Sequence, residues 1–204
     1  FFDCEMKSFQ YDGALKGRYR TFGGSSTKWG GQLLPLRNID FKKRDYIENS
    51  GWPISEKDIV EYYSLGEKIL GVNHESFSQN NSLNFFEQNI IRTIKEIKFR
   101  FSKWSPISHR NLSKTIGKRC KNDKNTRIFL NTTARYLSLK QNSNQIESIN
   151  ALDKSGEELI FKSNFFIIAC GTLETNRLLL LSKNHEGQSM GNENDNLGKF
   201  FHDH

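Results

Sequence analysis

The 204-residue chain reads as an α/β protein with α+β elements: part of a doubly wound domain, an antiparallel β-meander, and a further segment outside both. Three observations predict this. Phe165-Phe166-Ile167-Ile168-Ala169-Cys170 is continuously apolar, the pattern of a strand buried on both faces of a parallel sheet. Gly171 and Thr172 end that run, and residues 173–181 follow as a helix with Thr172 as N-cap and Glu174 in the first turn. Upstream, residues 127–130, 134–140, 146–152 and 159–162 are short strand-like runs separated by Asn-, Ser- and Gly-bearing turns, which suits a meander.

The other elements follow in chain order. Residues 1–17 are mixed, with a short strand or helix end expected. Leu33-Leu34-Pro35-Leu36 is apolar and extended, because proline turns the residue before it away from the helical region. Residues 42–44 are basic and lie on a surface segment. Ser55, with Glu56 and Asp58 behind it, opens a helix whose face carries Ile59, Tyr62, Tyr63, Ile69 and Leu70 and which Gly71 stops. Packing against a core explains that helix. Residues 74–84 read as a loop, 83–97 as a helix, 99–104 as an alternating strand, and 111–122 as a short helix. Residues 187–196 form a loop and 197–204 begin a further helix. The divisions are 1–72, which carries a glycine loop; 73–110, which reads as an insertion; and 111–204, which holds the meander and the strand–glycine–helix run.

Residues 17–31, GRYRTFGGSSTKWGG, are the most distinctive text. Gly23-Gly24 and Gly30-Gly31 are paired glycines, with Ser25 and Ser26 between them. Glycine permits positive φ and close backbone approach, and small hydroxyls beside free N–H groups suit anionic oxygens. Gly/Ser text alone describes a flexible loop. Trp29, a large aromatic between the glycine pairs, instead argues for a rigid loop pressed against a large, phosphate-bearing ligand.

GRYRTFGGSSTKWGGQLLPL with DFKKRDY, GWPIS and DIVEYY, and the later block FFIIACGTLETNRLLLLS with GNENDNLGKFFHDH, resemble the flavin-contacting segments of glucose–methanol–choline (GMC) oxidoreductases, in the branch of pyranose oxidase and sugar or polyol dehydrogenases. The resemblance implies a Rossmann-like FAD-binding domain. It also implies an enzyme that oxidises a CH–OH group of a sugar, polyol or other alcohol by hydride transfer to flavin. By the same resemblance Gly23, Gly24, Ser25, Ser26, Trp29, Gly30 and Gly31 contact FAD, Ala134 lies toward its adenine end, and Gly171 and Thr172 form the dinucleotide-side turn. Pyranose oxidase-like proteins carry Thr-His-Trp where this chain has Thr27-Lys28-Trp29, and that histidine can hold the flavin covalently. Lysine is a poor substitute for the imidazole, so non-covalent FAD is expected. The family's G-x-G-x-x-G fingerprint does not occur in this sequence. The chain begins Phe-Phe-Asp-Cys and ends at His204 inside the second block, so a piece of a longer enzyme is expected, with the catalytic base outside it and no catalytic residue assigned here.

Net charge is +7 and the isoelectric point about 9.3, a balance that suits polyanions. Its cations look scattered through Lys/Asn-rich text, and no zinc-finger, RNP-like or basic-zipper pattern occurs. The expected partners are therefore a small-molecule alcohol or sugar and an unidentified electron acceptor, not nucleic acid. A basic, non-enzymatic polyanion-binding module is the rival. Cys4, Cys120 and Cys170 are widely spaced, which fits a reducing, cytoplasmic compartment rather than a disulfide framework. His202-Asp203-His204 would diverge on a helix, so no metal is assigned. No apolar run approaches the ~20 residues of a membrane span.

Overall fold

The computed structural model describes Glu5, Lys7 and residues 11–72 and 102–201. The loop expected at 74–84, the helix at 83–97, and His202–His204 lie outside the described residues. The described chain is mixed α and β, with two small sheets in which every strand pairing is antiparallel. It divides into two compact units, residues 1–127 and 128–204.

In the first unit, α1 (Asp12–Leu15) leads to a 3-10 turn at Gly24–Thr27 and the two-residue strand β1 (Gln32–Leu33). Next come α2 (Asn38–Phe41), whose Phe41 is buried edge-on against Trp52, and α3 (Glu56–Leu70). The ends of α3 are written in its sequence. Ser55 N–H donates to Asp58 Oδ2 at 2.7 Å and its hydroxyl at 2.8 Å, while Gly71 closes the helix at φ 66°. β2 (Lys103–Trp104) pairs with β1, and α4 (Ile107–Arg110) and α5 (Ile116–Asn122) complete the unit. Two contacts tie β2 and the residue after it to α3. The fully buried Ser105 hydroxyl donates to the Leu70 carbonyl at 2.7 Å, satisfying a carbonyl the helix end leaves open. Lys103 and Glu67 form a nearly buried ion pair.

The second unit is the expected meander, β3 (Thr133–Leu139), β4 (Ile146–Leu152) and β5 (Glu158–Lys162), covered by α6 (Thr172–Leu181). Leu137, Leu178 and Met190 form its buried centre, with Ile149, Ile168 and Leu179 around them. One side chain fastens helix to sheet. Ser182, fully buried just past α6, accepts from the Leu137 N–H at 2.9 Å and donates to the Leu178 carbonyl at 2.7 Å.

Four expectations fail. Residues 165–170 form no strand among the described residues, and Phe165 and Ile167 are 87% and 89% exposed. Only Phe166 and Ile168 turn partly inward, Ile168 onto the core. Apolar character alone cannot bury a run that has no neighbouring strand. Thr172 is the first residue of α6 rather than its N-cap, a place taken by Gly171 without any side-chain cap. Residues 127–130 are not a strand, and 197–201 are not helical.

Ser182→Ala removes both polar contacts and strands the buried Leu137 N–H, so it should cost ~1–3 kcal/mol in urea unfolding. Thr115 offers the contrast. Its buried hydroxyl has no partner among the described residues, so Thr115→Val should leave the melting temperature unchanged or raise it.

A pH dependence also follows. Asp58 is held below its ordinary value of 3.8, chiefly by the Ser55 N–H and then by its hydroxyl, and Asp123, Asp153 and Asp195 shift the same way. A carboxyl depressed in the folded state adds stability above its unfolded pKa and loses it as pH falls through the folded value. Acid titration below about pH 5 should therefore erode stability, and Asp58→Asn should reduce that slope as followed by circular dichroism.

Candidate functional site

The glycine loop is built against its own unit. Gly23 takes φ 94° and Gly31 φ 86°, left-handed values that glycine adopts without steric cost. Both also lack room for a side chain. A methyl group on Gly23 would lie 2.9 Å from Ser113 Cβ, and one on Gly31 2.7 Å from Arg110 Nε. The Trp29 indole N–H donates to the Arg110 carbonyl at 2.7 Å, so half-buried Trp29 anchors the loop to α4. Gly30 lies in ordinary contact with Trp104, whose ring has the Arg110 guanidinium 6.0 Å from its centre. Arg110 in turn donates from Nε to the Ser105 carbonyl at 2.6 Å.

The loop hydroxyls are turned inward as well. Ser25 Oγ donates to the Gly17 carbonyl at 3.2 Å and accepts from the Tyr19 N–H at 3.4 Å. Ser26 Oγ donates to the Gly23 carbonyl at 2.5 Å and Thr27 Oγ1 to the Gly24 carbonyl at 2.9 Å. These bonds brace the 3-10 turn and commit the hydroxyl protons to it. Gly24 differs from its neighbours: at φ 55° no atom of the described residues lies within 4 Å of where a side chain would begin. Its N–H nevertheless donates to the Thr21 carbonyl at 2.8 Å. Lys28 is exposed.

The remaining expected residues belong to the second unit. Ala134 sits in β3 opposite Ala151 and packs at the margin of the Leu137–Leu178 core. Gly171 and Thr172 are exposed at the start of α6. Gly171 has φ 80° and ψ 162° and open space around it, in a region of backbone space reserved almost entirely to glycine. α6 thus begins without a side-chain cap, and first-turn amide groups at a helix start favour an anion. Glu174, also in that turn, pairs with Arg177 at 2.6 Å.

The structure therefore unites Gly23, Gly24, Ser25, Ser26, Trp29, Gly30 and Gly31 in one braced loop, and Gly171 with Thr172 at one helix start. Sequence reasoning missed Arg110 and Ser113, the residues on which the loop rests. Only distant pairings reveal them, although the lysine-rich text after Ser113 marks the segment. Among the described residues no group of His, Cys, Asp and Glu could hold a metal ion, and no helix is long and apolar enough to cross a membrane. Comparison with protein-family models and with curated proteins finds no match for the chain.

The two adjacent glycines should separate experimentally. Gly24→Ala meets only the backbone cost, about 1 kcal/mol. Gly23→Ala adds the clash with Ser113 and should lose a further ~1–3 kcal/mol in thermal or urea unfolding.

Proposed function

We propose that the chain binds FAD non-covalently and belongs to an oxidoreductase that oxidises a CH–OH group of a sugar, polyol or other alcohol. The reading is supported by the two sequence blocks that resemble GMC oxidoreductases, in that family's order, together with one structural observation. Gly171, in a conformation closed to other residues, leaves open space at the uncapped start of a ten-residue helix. That arrangement suits the pyrophosphate of a dinucleotide, whose charge is favoured at a helix start and whose bulk needs a bare backbone. The exposure of Phe165 and Ile167 removes the buried parallel strand from this support, which rests on the glycine turn and helix start.

When bound, FAD supplies a hydride acceptor for the carbon bearing the hydroxyl. This chain's residues bind and orient it. The amides at the start of α6 hold anionic oxygen, and Lys28 places an exposed cation on the glycine loop where relatives can carry a bonding imidazole. No residue of the chain is assigned as the general base.

Titration of the purified chain with FAD should quench flavin fluorescence and shift its visible spectrum. Gly171→Val should weaken binding at least about ten-fold with the circular dichroism unchanged. Denaturation followed by filtration should pass all the flavin. Failure of the wild-type chain to bind FAD refutes the reading, and flavin retained on the denatured chain refutes the non-covalent part.

A further inference from the structure

The fold joins two stretches whose cations lie far apart in the chain. Residues 13–39 contain five lysines and arginines and no acidic residue; residues 110–127 contain seven against Asp123 alone. The whole chain carries only +7, so everything outside these stretches is net negative. The stretches meet between residues 22–31 and 110–121. Gly31 and Trp29 rest on Arg110 and Gly23 on Ser113. Phe22 lies against Gly117, and the Lys121 ammonium stands 4.6 Å over the Phe22 ring. Lys28 and the lysines that follow Ser113 thus lie on segments that the fold joins into one basic face.

Part of that surface is neutralised, Lys16 by Asp12 and Arg37 by Asp40, and part is not. Lys28, Lys114, Lys118, Lys121, Lys124 and Arg127 are exposed, and none takes part in an ion pair among the described residues. Asp123 is spent on its own turn, accepting from the Thr126 hydroxyl and the Asn125 N–H. Lys114, Lys118 and Lys121 recur at helical spacing in and before α5. Trp104, 55% exposed beside Gly30 and Arg110, offers an aromatic surface next to the same segment.

We propose that this face binds single-stranded nucleic acid, the lysines following the phosphates and Trp104 stacking a base. A line of cations ending at an exposed aromatic is the surface that sequence-tolerant single-strand binding uses. A bilayer fits less well. Between Ile107 and Phe129, where most of the unpaired lysines lie, no large apolar side chain is exposed, so that segment carries no insertion fringe of its own, the exposed Leu34, Leu36 and Ile39 belonging to the other stretch. The proposal stands apart from the flavoprotein reading and can fail without it.

The test is fluorescence anisotropy of a labelled oligouridylate titrated with the chain across a salt series. Binding that engages four phosphates should give a log–log salt slope of about −3. Lys118→Glu/Lys121→Glu/Lys124→Glu should lower affinity at least about ten-fold and flatten that slope. Lys42→Glu/Lys43→Glu/Lys57→Glu makes the same change of net charge outside both basic stretches and should stay within about two-fold, because exposed charges away from the bound strand are screened. Trp104→Ala should cost about ten-fold. Equal loss in both triple variants would reduce the effect to bulk charge and overturn the proposal. So would tighter, equally lysine-dependent binding to phosphatidylserine vesicles, or displacement of the oligonucleotide by FAD.

Discussion

The first unit depends on the absence of two side chains. Gly23 and Gly31 let the loop of residues 17–31 lie directly on the segment from Arg110 to Ser113, with the Trp29 indole fixing the register between them. Close packing leaves no slack for even one methyl group at such contacts. The hydroxyls of Ser25, Ser26 and Thr27 then brace the turn from within. A stretch that resembles a ligand cradle is in large part a joint of the protein itself, with Gly24 its open position.

The second unit solves a different problem. Its three-stranded sheet has only a ten-residue helix to cover it, and few residues are fully buried. A small apolar centre gives limited stabilisation, so a polar clamp carries unusual weight. Ser182 supplies it, meeting a strand amide and a helix carbonyl through one hydroxyl. Removing one partner from such a buried group costs more than the bond itself contributes.

Much of the fold was legible in sequence because its signals were local. Ser55, Asp58 and Gly71 delimit α3 through contacts spanning at most a few residues, and the turns between β3, β4 and β5 specify the meander. The strand assigned to residues 165–170 failed because its burial would depend on neighbours rather than on its own composition. Thr172 was misplaced by one residue, since a glycine at φ 80° can precede a helix without offering a side chain. For the candidate site, the glycines were visible but their neighbours were not. Nothing near Gly23 in sequence points to Ser113, and the basic face existed in the text only as two separate excesses of charge.

Gly171 separates two properties that usually travel together. It is exposed, and among the described residues no atom lies within 4 Å of where its side chain would begin, which ordinarily marks a position free to vary. Its backbone angles nevertheless exclude every residue with a side chain from comfortable occupancy. Single-base changes in a glycine codon yield alanine, serine, cysteine, aspartate, glutamate, arginine, valine or tryptophan, and none escapes that restriction. Codon 171 is therefore a site where a library scored by solvent exposure would predict tolerance, and where selection acting on the helix start would return glycine.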